Sequence, residues 1–137
     1  MFNFRSAADV SDARSLSNRL RNRWFKTFEA LLNRLGKSRV DLIDVGGTEN
    51  FWRKRGCADR PDVSITCINL EARPSSSGNI RVLQGDATDL KQFSDEQFDV
   101  AFSNSVIEHL FSLENQPKMA NEIRRGSLAH WVQTPNY

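Results

Sequence analysis

The chain has 137 residues, of which 39% are hydrophobic and 26% charged, and a formal net charge of +2. That length supports one domain with a core of its own, and the composition is that of an ordinary globular protein. No apolar run approaches the ~20 residues that a bilayer-spanning helix needs, and Arg5, Asp9, Asp12 and Arg14 interrupt any signal-peptide core, so the cytoplasm is the expected compartment.

Charge divides the chain unevenly. Residues 1–39 hold nine Lys/Arg against three Asp/Glu, and residues 40–137 hold ten against fourteen. The first segment is therefore a basic N-terminal element and the second the expected domain proper. Residues 1–10 carry little pattern. A helix is expected from Ser11 or Asp12, either of which can serve as N-cap. Leu16, Leu20, Trp24, Phe28, Leu31, Leu32 and Leu35 recur at three-to-four spacing and form one apolar stripe, which Gly36 ends. The arginines are spread along this helix rather than clustered, so a nucleic-acid site is not expected.

Val40–Val45 reads as strand one, apolar on both faces apart from Asp41, as a covered parallel strand should be. Gly46-Gly47 then makes a tight turn where backbone can approach a ligand. Glu49 to Arg55 forms a short helix, stopped at Gly56. Val63–Leu70, rich in β-branched residues, is strand two. Pro74-Ser75-Ser76-Ser77-Gly78 reads as a flexible loop. Ile80–Leu83 is strand three, and a helical turn follows near Leu90–Phe93. Phe98–Phe102 is strand four, and Val106–Leu110 reads as helix. Pro117 suits the first turn of a last helix, which Gly126 stops before strand five at Leu128–Gln133. Strands alternating with helices predict an α/β fold with a parallel sheet covered on both faces.

The ends of these strands are polar or glycine. They read Asp44-Val45-Gly46-Gly47, Asn69-Leu70-Glu71, Gly85-Asp86-Ala87 and Ser103-Asn104-Ser105. In an open parallel sheet, ligands bind outside the carboxyl ends of the strands, so the four segments mark one candidate crevice. Asp44 suits a cationic amino group or the loop amides. Glu71 suits the two hydroxyls of a ribose. Asp86 suits an exocyclic amine, with the Ala87 N–H as donor to a ring nitrogen. Ser103 and Asn104 would approach the middle of the ligand. Glu108 and His109 are neighbours that point apart on a helix and do not make a dyad. His109 is the candidate general base, with packing or capping as its competing role. Asp99 and His130 read as structural, and Trp52 and Trp131 as core or subunit contacts. The cysteines, Cys57 and Cys67, read as reduced thiols. With the histidines they show no zinc-site spacing, and no metal is expected.

Four segments together resemble the successive motifs of class I S-adenosylmethionine-dependent methyltransferases. They are Asp44-Val45-Gly46-Gly47-Thr48, Ile68-Asn69-Leu70-Glu71, Gly85-Asp86-Ala87, and Phe98 to Leu110 with its Ser103-Asn104-Ser105-Val106-Ile107-Glu108-His109 run. The last is similar to enzymes that act on small molecules, lipids and sugars. The Glu122-Ile123-Arg124-Arg125 helix and Val132-Gln133-Thr134-Pro135-Asn136 agree with it. The resemblance implies a Rossmann-like sheet of strand order 3-2-1-4-5, over residues 40–137, binding S-adenosylmethionine. It implies that Asp44, Gly46 and Gly47 hold the methionine part, Asp86 and Ala87 the adenine, and Ser103 or Asn104 the region of the sulfonium. For the ribose acid it leaves Glu71 first and Asn69 second.

Two departures stand out. Thr48 and Asn50 occupy positions where the family's second and third glycines usually stand. The family's sheet usually has two further strands, so the chain is expected to be C-terminally truncated, with an open edge at strand five that a homodimer partner or another cover would protect. The expected function is methyl transfer to a small-molecule, lipid or sugar acceptor. The competing reading is a methyltransferase-like module that binds the cofactor or a partner without turnover. A nucleotide-binding oxidoreductase is disfavoured, because no Gly-x-Gly-x-x-Gly follows strand one.

Overall fold

The computed structural model describes residues 16–110 and 112–134. The expected N-caps Ser11 and Asp12, residues 1–10 and Pro135-Asn136 lie outside the described residues. The chain divides into two compact units, 1–37 and 38–137. The first contains α1 (Leu16–Arg34), whose end is closed by Leu35 N–H to Leu32 C=O at 3.1 Å and by Gly36 at φ +65°.

The second unit is built on one sheet. Its strands are β1 (Val40–Val45), β2 (Val63–Asn69), β3 (Ser75–Ser77), β4 (Ile80–Gln84), β5 (Phe98–Asn104) and β6 (Ser127–Gln133). Their order across the sheet is β3-β4-β2-β1-β5-β6. Strands one to five of the sequence are β1, β2, β4, β5 and β6, and they lie parallel in the order expected of them. The sheet is therefore Rossmann-like, with one strand that the sequence did not suggest. Ser75–Ser77 is not a loop but pairs antiparallel with β4, Ser75 opposite Val82 and Ser77 opposite Ile80. Gly78 at φ +59° makes the tight reversal possible, and Arg53 donates to Ser77 Oγ at 2.8 Å.

Each face of the sheet has its own cover. On one, α2 (Glu49–Lys54) buries Trp52 against Phe102, with ring centroids 5.1 Å apart, while Phe51 lies 5.6 Å from Phe102. Thr48 caps this helix, accepting from Phe51 N–H at 3.4 Å. On the other face, α3 (Asn115–Gly126) buries Met119 and Ile123 against Ile43, Val45, Ile68 and Ala101. Pro117 falls in its first turn, as expected. Val106–Leu110 is not an α-helix. It holds only a 3₁₀ turn at Ile107–His109, with His109 N–H to Val106 C=O at 2.9 Å. The preceding Ser105 sits at φ +58°, which interrupts any continuous helical run out of β5.

The β4–β5 connection carries no helix and is held instead by Arg125. Its guanidinium donates to Leu90 C=O at 2.8 Å and Phe93 C=O at 2.9 Å, and it pairs with Glu122 and Asp95, each at 3.0 Å. Glu122 in turn accepts from Leu90 N–H at 2.5 Å. Arg125→Ala removes the fork, leaving the Phe93 carbonyl without its donor and the Leu90 carbonyl with the Phe93 N–H alone, at 3.0 Å. The expected cost is about 2–3 kcal/mol, read from the urea midpoint. Arg125→Lys should recover less than half, since a single ammonium cannot serve the same fan of acceptors. A midpoint unchanged in Arg125→Ala would show that α3 and the connection are held by apolar packing alone.

Candidate functional site

Parallel register brings the polar strand ends to one edge of the sheet. Val45 is level with Ile68, Asn69 with Gln84, and Asn104 with Gln133. Just beyond the ends of β1 and β2 lies a groove of about 560 Å³, lined among others by Gly47, Thr48, Asn50, Asn69, Glu71 and Arg73. That volume is within the range of small-molecule sites.

The turn that floors the groove has no room for side chains. Gly46 stands at φ +82°, and a Cβ there would meet Val106 Cγ2 at 2.5 Å. A Cβ on Gly47 would fall on the carboxylate of Asp44. Asp44 itself is 2% exposed and does not line the groove. Its Oδ2 accepts from Trp52 Nε1 at 2.7 Å. Burial pushes this carboxyl up to about 7, and the indole hydrogen bond, the smaller effect, acts to lower it.

Asn69 is a tie between two strand ends. Its Nδ2 donates to Gly46 C=O at 3.2 Å and its Oδ1 accepts from Glu71 N–H at 3.2 Å. Both halves of the amide are thereby engaged. The Glu71 side chain is exposed on the groove and has no hydrogen-bond partner among the described residues.

The other strand ends lie outside this groove lining. Asp86 Oδ1 accepts from both Thr88 N–H at 2.8 Å and Thr88 Oγ1 at 2.7 Å, and these bonds hold its carboxyl below the usual range. Ala87 packs against the α3-side core. Ser103 is 1% exposed and donates to Val45 C=O at 2.9 Å, a bridge from β5 to β1. Asn104 is half-buried at the end of β5 and accepts from Ser105 Oγ at 3.4 Å.

His109 is exposed, and its Nε2 lies 4.0 Å from Glu108 Oε1, too far for a hydrogen bond. Both Glu108 oxygens are shielded from solvent and lack a hydrogen-bond partner among the described residues. Asp99 accepts from Asp41 N–H at 2.8 Å within the sheet. Trp52 is core, Trp131 is half-buried, and His130 is exposed along β6. Cys57 and Cys67 are buried free thiols. No cluster of three metal-ligating side chains occurs among the described residues, and no helix there is long and apolar enough to cross a membrane.

Sequence reasoning missed Arg53 and Arg73 as groove residues. Arg53 had a local signal, because it stands four residues after Glu49 on the helix that leaves the turn, and the two pair at 2.5 Å. Arg73 had none.

A methyltransferase domain family matches residues 52–126, more than half of the chain. The chain belongs to this family. The matched span of the methyltransferase domain holds Asn69, Glu71, Asp86, Ala87, Ser103, Asn104 and His109, while Asp44, Gly46 and Gly47 precede it.

Solved structures agree on the fold. A protein of Anabaena variabilis assigned as a methyltransferase from an antibiotic biosynthesis pathway matches with TM-score 0.58 and 16% identity, over 79% of this chain and 45% of its own. The PH0226 protein of Pyrococcus horikoshii matches with TM-score 0.53 and 22% identity, over 85% and 56%. A SAM-dependent methyltransferase of Aquifex aeolicus matches with TM-score 0.50 and 15% identity, over 72% and 57%. The chain thus spans about half the length of these proteins. No curated protein gives a significant match.

Proposed function

We propose that this methyltransferase domain binds S-adenosylmethionine at the carboxyl edge of its sheet and serves methyl transfer to a small-molecule, lipid or sugar acceptor. The observation that carries the reading is the groove beside Gly47. It has a side-chain-free floor, one wall bearing the unengaged carboxylate of Glu71, and a volume of about 560 Å³. Such a site suits a ligand with a hydroxyl-bearing sugar and a polar tail.

In this reading Glu71 accepts from the ribose hydroxyls. Asn69 acts behind it, holding the Gly46 carbonyl and the Glu71 amide in place. Gly46 and Gly47 let the methionine part lie against backbone. Asp44 supports that turn from beneath. Asp86 and Ala87 receive the adenine, and Asn104 borders the sulfonium region, with Ser103 tying β5 to β1 behind it. The bound cofactor supplies an electrophilic methyl group, and the protein supplies orientation along the line of displacement. A base is required only if the acceptor loses a proton, and His109 is the candidate because its ring is exposed at the same edge.

Calorimetric titration tests this. S-adenosylmethionine and S-adenosylhomocysteine should bind and NAD should not. Glu71→Ala should weaken binding by about tenfold or more, as loss of a charge-assisted pair of hydrogen bonds would. Absence of heat with either sulfur ligand overturns the reading. Binding without methylation across a broad acceptor panel would favour the non-catalytic module instead.

A further inference from the structure

A second recess, of about 390 Å³, opens at the other end of the sheet, towards the amino ends of the strands. It lies some five residues along β2 from Asn69, or ~17 Å at strand rise. None of its lining residues belongs to the groove beside Gly47.

The register shows how it is built. Asp41 is level with Ser64 on β2, and Thr66 is level with Arg81 on β4, which is level with Ser76 on β3. Ser64 and Thr66 are two apart on one strand, so all five residues face the same side. Arg39, just before β1, completes the wall. A sheet face that packs on a helix reads apolar. This part of the face holds three hydroxyls, two guanidinium groups and one carboxylate.

The hydrogen bonds leave most of that capacity unused. Arg81 makes one long contact, to Thr66 Oγ1 at 3.4 Å. Arg39 has no partner among the described residues. Thr66 is only 5% exposed and accepts from Arg81, so its own hydroxyl hydrogen remains to donate. Ser64 and Ser76 add two further donors. Two guanidinium forks and converging hydroxyls match the oxygens of a phosphate group in charge and geometry. Asp41 is the one opposing charge among the described lining residues.

We propose that this recess binds a small phosphate-bearing anion, separately from the groove at the carboxyl edge. Arg39 and Arg81 clamp the phosphate, and Thr66, Ser64 and Ser76 donate to its oxygens. Asp41 weakens the site by like-charge repulsion and favours ligands whose own hydroxyls can bond to it.

The test is titration of the full chain with inorganic phosphate, pyrophosphate and glycerol 3-phosphate, followed by calorimetry. Millimolar or tighter binding of at least one is expected. Preference for glycerol 3-phosphate would identify a phosphate monoester as the ligand class, and preference for the inorganic anions a free phosphate. Arg39→Gln and Arg81→Gln should each weaken binding by about tenfold, whereas Asp41→Asn should tighten it severalfold. Arg39 and Arg81 are exposed, so the thermal midpoint of these variants should stay within a few degrees of the wild type and confirm the fold. No binding of any of the three anions at ~20 mM, or unchanged affinity in both arginine variants, overturns the proposal.

Discussion

Trp52→Ala should cost about 5 kcal/mol and leave little folded protein at room temperature. Trp52 is 1% exposed and fills the space between α2 and the sheet. Its ring meets Phe51 at 5.2 Å and Phe102 at 5.1 Å, both edge to face. Truncating a core tryptophan removes about 3–5 kcal/mol of packing. The same change takes away the one hydrogen bond that the buried Asp44 carboxyl accepts among the described residues, at 2.7 Å. An unsatisfied buried acid adds about 1–3 kcal/mol. The sum approaches the whole stability of a small domain, ~5–15 kcal/mol. Trp52→Phe separates the two contributions, since it keeps most of the packing and loses only the indole donor. Its expected cost is about 1–3 kcal/mol. Urea denaturation followed by circular dichroism measures both, and a Trp52→Ala midpoint equal to wild type would show that this aromatic cluster is not core.

Stability should fall as pH rises from about 4 to about 7, and Asp44 should be the cause. Its carboxyl is pushed up from 3.8 to about 7 by burial. Between those values the folded state holds a proton that the unfolded state has released. The contribution is fully present below the unfolded value and is lost as pH climbs through the folded one. At ~1.4 kcal/mol per unit, the window amounts to a few kcal/mol. Other acids act in the opposite direction. Asp62 is held down by Arg60, Asp86 by Thr88 and Glu122 by Arg125. Their contributions are present above the ordinary carboxyl range and disappear only in more acidic solution, as pH falls through their lowered values. The two effects place the stability maximum on the acid side of neutrality. Urea midpoints taken from pH 4 to pH 8 measure the slope, and Asp44→Asn should flatten it. A slope unchanged in Asp44→Asn would assign the pH dependence elsewhere.

Asp44 also bears on the turn above it. A Cβ on Gly47 would overlap the Asp44 carboxyl, so the turn and the acid share one small space. The glycines answer two different demands. Gly46 supplies a positive φ and clearance from Val106, and Gly47 supplies clearance from Asp44. The family's usual glycines two and four positions beyond Gly46 are Thr48 and Asn50 here, and both line the groove. Thr48 has a separate local task as the cap of α2.

The order of the strands came from the resemblance to the methyltransferase family, whereas the sequence by itself determined the five parallel strands, the turn at Gly46-Gly47 and the edge where the polar strand ends gather. These follow from local signals. Apolar runs of strand length, glycines at turns and the alternation of strands with helices each act within a few residues of one another. Where the local signal was weak it misled. Three serines between Pro74 and Gly78 carried no strand pattern, yet the open edge of β4 recruits them, because an edge offers backbone hydrogen bonds regardless of side chain.

Only the tertiary structure decided what the individual polar groups do. Asp44 and Ser103 both stand at strand ends and read alike in sequence as ligand contacts. In the fold Asp44 is sealed beneath Gly47 by Trp52, and Ser103 is spent on Val45, 58 residues away along the chain. Asn69 and Glu71, two residues apart, divide into a strand tie and an unengaged carboxylate. The polar recess of Arg39 and Arg81 has no sequence signature at all, because its members come from four separate strands or their flanks. The reason is common to all of these. A side chain's partner is fixed by register across the sheet and by which helix covers which face, and neither is written in the residues on either side of it.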